Sequence, residues 1–526
     1  MSVPQSVINI CSGVLLTNDY LHTIYFEDSS KQLAYFTGKV VKTFSAYTYL
    51  RKEWDIKVDA TMEEARTWSY LFFRNNTGKY YYYFINNIQY ENENTVTLKL
   101  ELDVMQTYLN EYVLHPCFVE REHAATDEAG DNIIDEGLDL GQFVVNQKSN
   151  MDMQELCIMI LSSFDPEDTT ENTTATVLAA KYNNVYSGLG VYAVDMSKYI
   201  EWGARLKDFD NWGKSEGILN MWVYPKKLVT LATGQSWSDS QSLVKKVGGA
   251  TTFSHQISRS SSMIDDYIPR NRKLYTFPYN FLYVSNNSGG GAVYHYEKFT
   301  DPQACQFRVA GSLSPEGSVK LYPISYQNVA INYDEGLSGG DYPTCAWNQD
   351  IYKLWLAQNQ HQQSLSMLSA GLTVAAGVGS AIMTGGAGAA VGLSAASHGA
   401  SQIASLLSQR ADKEIQPPQA KGSYSSSVNI ATEHQTFTFM KKSIDRQHAM
   451  IIDDYFDLYG YKTNRVKVPN RKVRENWTYT KTIGCHVSGN FCTEDLRKIQ
   501  SIYDNGVTFW VNGDRIGSYG LTNYTL

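Results

Sequence analysis

Val96-Thr-Leu-Lys-Leu-Glu-Leu-Asp-Val104 alternates Val96, Leu98, Leu100, Leu102 and Val104 with Thr97, Lys99, Glu101 and Asp103. A period of two places every apolar side chain on one face of an extended chain, so the stretch predicts a strand with one side buried. Just upstream, the aromatic-rich runs 66–74 and 79–86 flank Asn75-Asn-Thr-Gly78, which reads as a hairpin loop. With 37 Tyr, 20 Phe and 10 Trp set among Asn- and Gly-rich turns, the fold class expected is mainly β with some α, a multi-domain β-barrel or β-sandwich protein.

One stretch departs from this pattern. Between Lys353 and Arg410 there is no Asp, Glu, Lys or Arg, although charged residues make up 19% of the chain. Its centre reads as two apolar arms of roughly 19 residues around a glycine hinge, and a helix of that length spans about 28 Å, close to a hydrocarbon core of about 30 Å. The candidate membrane-inserting residues are Leu365, Met367, Leu368, Leu372, Val374, Val378, Ile382 and Met383 in the first arm, and Val391, Leu393, Ile403, Leu406 and Leu407 in the second. Gly385, Gly386 and Gly388 form the hinge. Gly371, Ala375 and Gly379, then Gly392, Ala396, Ala400 and Ala404, recur every fourth position and give a flat ridge for close helix contact. Because the arms are rich in Ala, Gly and Ser, each gains little in lipid, which suits a conditional segment better than a permanent anchor. A long helical hairpin buried in protein fits the same composition.

Elsewhere, residues 116–150 read as an acidic loop, with Asp127, Glu128, Asp131, Asp135, Glu136 and Asp139 close together. They lack the order of an EF-hand, so a solvated loop is expected rather than a calcium site. Residues 156–164 read as a strand, 236–262 as a Ser- and Gly-rich surface excursion, 273–284 and 292–296 as strands around a Gly-rich turn at 286–291, and 435–440 as another strand. Ser443 or Asp445 can cap a helix ending at Gly460, and Thr493 a second one ending at Gly506 before a closing strand. Lys462, Arg465, Lys467, Arg471, Lys472 and Arg474 form a basic run that suits either phosphate contact or salt bridges to a neighbouring subunit, the second better. These signals divide the chain into a β domain at 1–115, a β-rich middle at 116–350, the apolar hairpin at 351–412 and an α+β segment at 413–526.

At 526 residues the chain exceeds a single core. Its 45 Lys and Arg against 54 Asp and Glu give a formal charge of −9, which argues against tight wrapping of nucleic acid. The first ten residues lack a basic run and an apolar core, so no secretory signal is expected there. Seven scattered cysteines signal neither a disulfide framework nor a zinc site and are expected as buried free thiols. No Gly-x-Ser-x-Gly or His-Glu-x-x-His occurs, and acid pairs such as Glu63 with Glu64 or Asp453 with Asp457 are too common to mark a glycosidase. No enzyme, cofactor or metal is expected; a cell-wall or polysaccharide degrading enzyme and a stand-alone pore-forming protein are the rival readings.

Glu101-Leu-Asp-Val-Met-Gln-Thr-Tyr108, Val119-Glu-Arg-Glu-His123 and Asp135-Glu-Gly-Leu138 resemble the distal tail tube, or tail knob, protein of small short-tailed bacteriophages with protein-primed genomes. Tyr459-Gly-Tyr-Lys-Thr-Asn-Arg-Val-Lys-Val-Pro-Asn470, Thr480-Lys-Thr-Ile-Gly-Cys485 and Tyr503-Asp-Asn-Gly506 match that family's closing segment in order. The resemblance implies a homohexameric tube at the tail tip of the virion, in contact with other tail proteins, through which double-stranded DNA leaves. It further implies that the apolar segment plugs the lumen and then opens a channel through host membrane lipid.

Overall fold

The alternating stretch forms strand Thr95–Leu102, with Val96, Leu98, Leu100 and Leu102 buried. The alternation continues one step too far on paper. Asp103, expected on the solvent face, is buried, accepts from the Tyr70 hydroxyl at 2.7 Å, and caps the short helix Val104–Thr107 through the Gln106 amide at 3.0 Å. Burial pushes its carboxyl up to about 6.

The structure is a computed structural model that describes residues 6–47, 55–75, 77–151, 153, 155–170, 178–182, 185–214, 217–259, 264–287, 289–301, 304–314, 318–341 and 437–526. The described chain is mainly β, as expected, and forms two units. The apolar hairpin lies outside the described residues.

The first unit gathers Met1–Gln142, Ser262–Tyr279 and Ile444–Leu526. Its six-stranded antiparallel sheet runs Val40–Tyr47, Ser6–Ser12, Trp68–Arg74, Tyr80–Asn92, Thr95–Leu102, Asp55–Asp59. The expected hairpin is there, with Arg74 opposite Tyr80. A second, five-stranded sheet runs His22–Ile24, Val507–Trp510, Trp477–Ile483, Cys117–Glu122, Tyr461–Lys467, so the chain's ends meet in one sheet, and its first pair is parallel. Asp445, rather than Ser443, caps helix Arg446–Tyr459; Gly460 follows at a φ of 65°, where a Cβ would run into the Glu122 carbonyl. Cys492, not Thr493, precedes helix Thr493–Asn505 and makes no side-chain cap.

Several sequence expectations are corrected here, and the reason is charge pairing at long range. The stretch expected as an acidic loop contains two strands, Cys117–Glu122 and Phe143–Asn150. It is not simply solvated. The Glu136 side chain is fully buried, paired with Arg121 and Lys273, and accepts from the Lys462 amide at 2.9 Å; Asp127 accepts from the Tyr461 hydroxyl at 2.5 Å. Part of the basic run serves its own chain: Lys467 pairs with Glu122 at 2.6 Å, Lys472 with Glu27 at 2.8 Å, and Arg471 lies over the rings of Tyr25 and Tyr112. The acid pair Asp453 and Asp457 is likewise occupied. Asp453 accepts from the Tyr267 hydroxyl, the Arg270 and Asn271 amides and the Asn271 side chain, while Asp457 accepts from Asn271 at 2.7 Å and pairs with Arg270 at 2.7 Å. Among the described cysteines five are buried free thiols, but Cys492 is exposed.

The second unit comprises Phe143–Ser261 and Asn280–Ser443. The expected strand at 156–164 appears as Leu156–Ser162, an inner strand of a five-stranded sheet between Ile218–Pro225 and Gly190–Asp195. The stretch read as a surface excursion holds strands Val244–Ala250 and Phe253–Ser258. Its serines and glycines mask a strand that buries Lys245, whose ammonium reaches the Asp239 carbonyl at 3.0 Å and carboxylate at 3.2 Å. Lys273, expected in a strand, lies in the 3-10 turn Arg272–Tyr275 of the first unit, and strand Asn280–Ser285 begins later.

Two outcomes follow for the first unit. Glu136→Gln leaves two buried cations short of their anion, so it lowers stability by about 3–5 kcal/mol in denaturant unfolding. His123 donates from Nε2 to the Asp457 carbonyl at 3.1 Å and accepts at Nδ1 from the Tyr479 amide at 2.7 Å, so only the neutral ring fits. Burial, with Arg474 nearby, pushes the ring down to about 3 from 6.5. The unfolded chain therefore binds the proton first, and the histidine's contribution, complete above pH 6.5, falls by about 2 kcal/mol between pH 7 and pH 5. Burial raises the carboxyls of Asp127 and Asp457, which titrate with the opposite sign, so the check is the difference in acid unfolding between the wild type and His123→Gln.

Candidate functional site: the base of the apolar segment

The candidate insertion residues from Leu365 to Leu407 and the hinge glycines Gly385, Gly386 and Gly388 lie outside the described residues. What the structure does define is the strand before residues 342–436 and the strand after them. They leave from strand Leu337–Asp341, which pairs with Ser318–Tyr326, placing Leu337 opposite Leu321 and Ser338 opposite Lys320. They return into strand Thr438–Ile444, flanked in its sheet by Phe143–Asn150 and Asn280–Ser285.

Sequence reasons fix both ends. Leu337 and Phe437 are buried in one apolar cluster with Leu321, Val319, Tyr294 and Phe439. Gly339 is small where space is short: a Cβ there would lie 3.0 Å from the Val319 carbonyl oxygen and 3.3 Å from the Phe437 ring. Exit and return therefore pass side by side. The Phe437 carbonyl also accepts from the Met151 amide at 3.0 Å, and the Thr438 hydroxyl donates to Asn150 at 2.8 Å.

A turn bridges the two ends. Strands Asn280–Ser285 and Gly291–Tyr294 form the hairpin expected around the Gly-rich stretch. Within its loop the Asn286 side chain accepts from the Gly290 amide at 2.8 Å and donates to the Ser338 carbonyl at 2.8 Å. The neighbouring Asn287 side chain donates to the Thr438 hydroxyl at 3.0 Å. Sequence reasoning marked the turn but not its two asparagines, because a turn signal is local and both partners are far along the chain.

The chemistry of this site is positional: two backbone ends are held, and no described acid, histidine or cysteine cluster converges on them. Among the described residues no helix is long and apolar enough to cross a membrane.

The family model of the C-terminal domain of the Bacillus phage phi29 tail knob protein gp9 matches residues 244–524, and that of the caudoviral major tail protein N-terminus matches residues 4–112. The chain belongs to the phi29 tail knob protein family. It is 25% identical to tail knob protein gp9 of Bacillus phage B103, covering 98% of each chain, and 24% identical to that of Bacillus phage phi29, covering 99% of each. The structure of the bacteriophage C1 tail knob protein gp12 aligns over 99% of this chain and 100% of that one, with a TM-score of 0.68 at 12% identity, and so shares the fold. This tail knob chain is a structural protein of the phage tail, not an enzyme. Its acid pairs are accordingly part of the scaffold.

The tight exit gives a direct check. Gly339→Val must displace either the Val319 backbone or the Phe437 ring, so it destabilises the chain by about 1–3 kcal/mol. Ser338→Ala next to it, on an exposed position, stays within about 0.5 kcal/mol in the same unfolding measurement.

Proposed function

We propose that this knob protein forms the distal tube and knob of a short phage tail as a homohexamer, joined to other tail proteins. Its charge-free segment plugs the tube, then enters the host membrane and lines a channel for double-stranded DNA. The protein works at the tail tip of the virion and, during infection, at the host membrane.

One observation carries this reading: a run between Lys353 and Arg410 without Asp, Glu, Lys or Arg is inserted between two strands whose ends lie together. Such a run avoids the largest penalties of entering lipid, those of charged side chains. Its Ala, Gly and Ser content makes one copy a weak membrane element, and several copies packed through their small residues a better one. A formal charge of −9 suits a wall past which DNA slides without sticking.

The test is dye release from liposomes by the assembled full-length protein, set against a chain in which residues 365–407 are replaced by a short Gly-Ser linker. Release is expected to vanish in the replaced chain while the oligomer persists by mass measurement. Loss of the oligomer would make the segment an assembly element and overturn the reading. Equal release by a soluble monomer would favour a stand-alone pore.

A further inference from the structure

The two strands that bound residues 342–436 lie in different sheets, so no strand ladder joins them. Each is nevertheless firmly held. Thr438–Ile444 is an inner strand, and its residues from Thr438 to Ser443 pair one by one with Ser285 to Asn280. Leu337–Asp341 is paired on the other sheet, and Leu337 and Phe437 share one buried cluster. Between them stand Asn286, bonded to the Ser338 carbonyl, and Asn287, bonded to the Thr438 hydroxyl. Asn287 holds a φ of 57°, a left-handed conformation that Asn tolerates better than most side chains and that turns its amide toward the return strand.

We infer that Asn286 and Asn287 are positioning residues that clip the two ends of the apolar segment together, so that the segment is released from a base that stays closed. The inference rests on the penetration reading above. Separating the ends would break the bonds of Asn286 and Asn287 and expose the shared cluster, whereas release from a closed base breaks neither. The two asparagines therefore keep the segment's two bounding strands together without touching lipid.

The experiment uses full-length protein in a Cys345→Ser/Cys492→Ser background, with nitroxides at Ser338→Cys and Met440→Cys and labelled chains diluted into unlabelled ones. The label separation is read before and after addition of anionic phospholipid liposomes, and dye release is followed in parallel. An unchanged separation is expected. A separation that widens overturns the clip, whatever the dye does. Absence of release from the intact chain overturns the penetration reading, whatever the labels do. In an Asn286→Ala/Asn287→Ala variant, the amides of residues 437–439 are expected to exchange with solvent about fivefold faster or more, with little change in the thermal unfolding midpoint. Exchange that stays at the wild-type rate would remove the positioning role from the asparagines.

Discussion

Asp453 has no exposed side-chain surface and receives four hydrogen bonds of 3.0 Å or less from residues 267–271. A buried carboxylate without such partners costs several kcal/mol, so this one dictates where its donors must lie. The donors belong to Ser262–Tyr279, a piece of the first unit that interrupts the second unit in sequence. Helix Arg446–Tyr459 carries Asp453 and, one turn on, Asp457 on the same face, and Asn271 bonds both. An apolar contact tolerates a slip of one residue; a carboxylate with four directed donors does not. The inserted piece is held in one register against the helix of its own unit.

The same logic explains which features were legible in the sequence. Strand Thr95–Leu102, the hairpin at Asn75–Gly78 and the stops at Gly460 and Gly506 were readable because period, turn chemistry and capping act over a few residues. The parallel pairing of His22–Ile24 with Val507–Trp510 leaves no such trace, since each strand is short and its partner is almost a chain length away. Glu136 shows the limit most plainly. In a run of acids it reads as solvated, and only the fold brings Arg121 and Lys273 to it. The basic run failed in the mirror sense, because its acids, Glu122 and Glu27, are distant in sequence.

For the candidate site the division is different. Composition alone exposed the charge-free segment, and the resemblance gave it a role. Neither could show that its ends are neighbours. That fact depends on the Gly339 and Phe437 contact and on two asparagine side chains that a sequence reading treats as ordinary turn residues.

Weak hydrophobicity and a fixed base are physically complementary. A segment rich in Ala, Gly and Ser gains too little from lipid to hold one copy there, so on the proposed reading it must act through neighbouring copies. Tethering raises the effective concentration of each copy near the next only when the tether's origin is fixed; a base that splayed open would spread the origins and dilute that gain. A strongly apolar segment would not need this help, but it would be hard to keep soluble before use. On the proposed reading, the inner strand Thr438–Ile444 and the paired strand Leu337–Asp341 supply what the segment's own composition withholds, a fixed starting point.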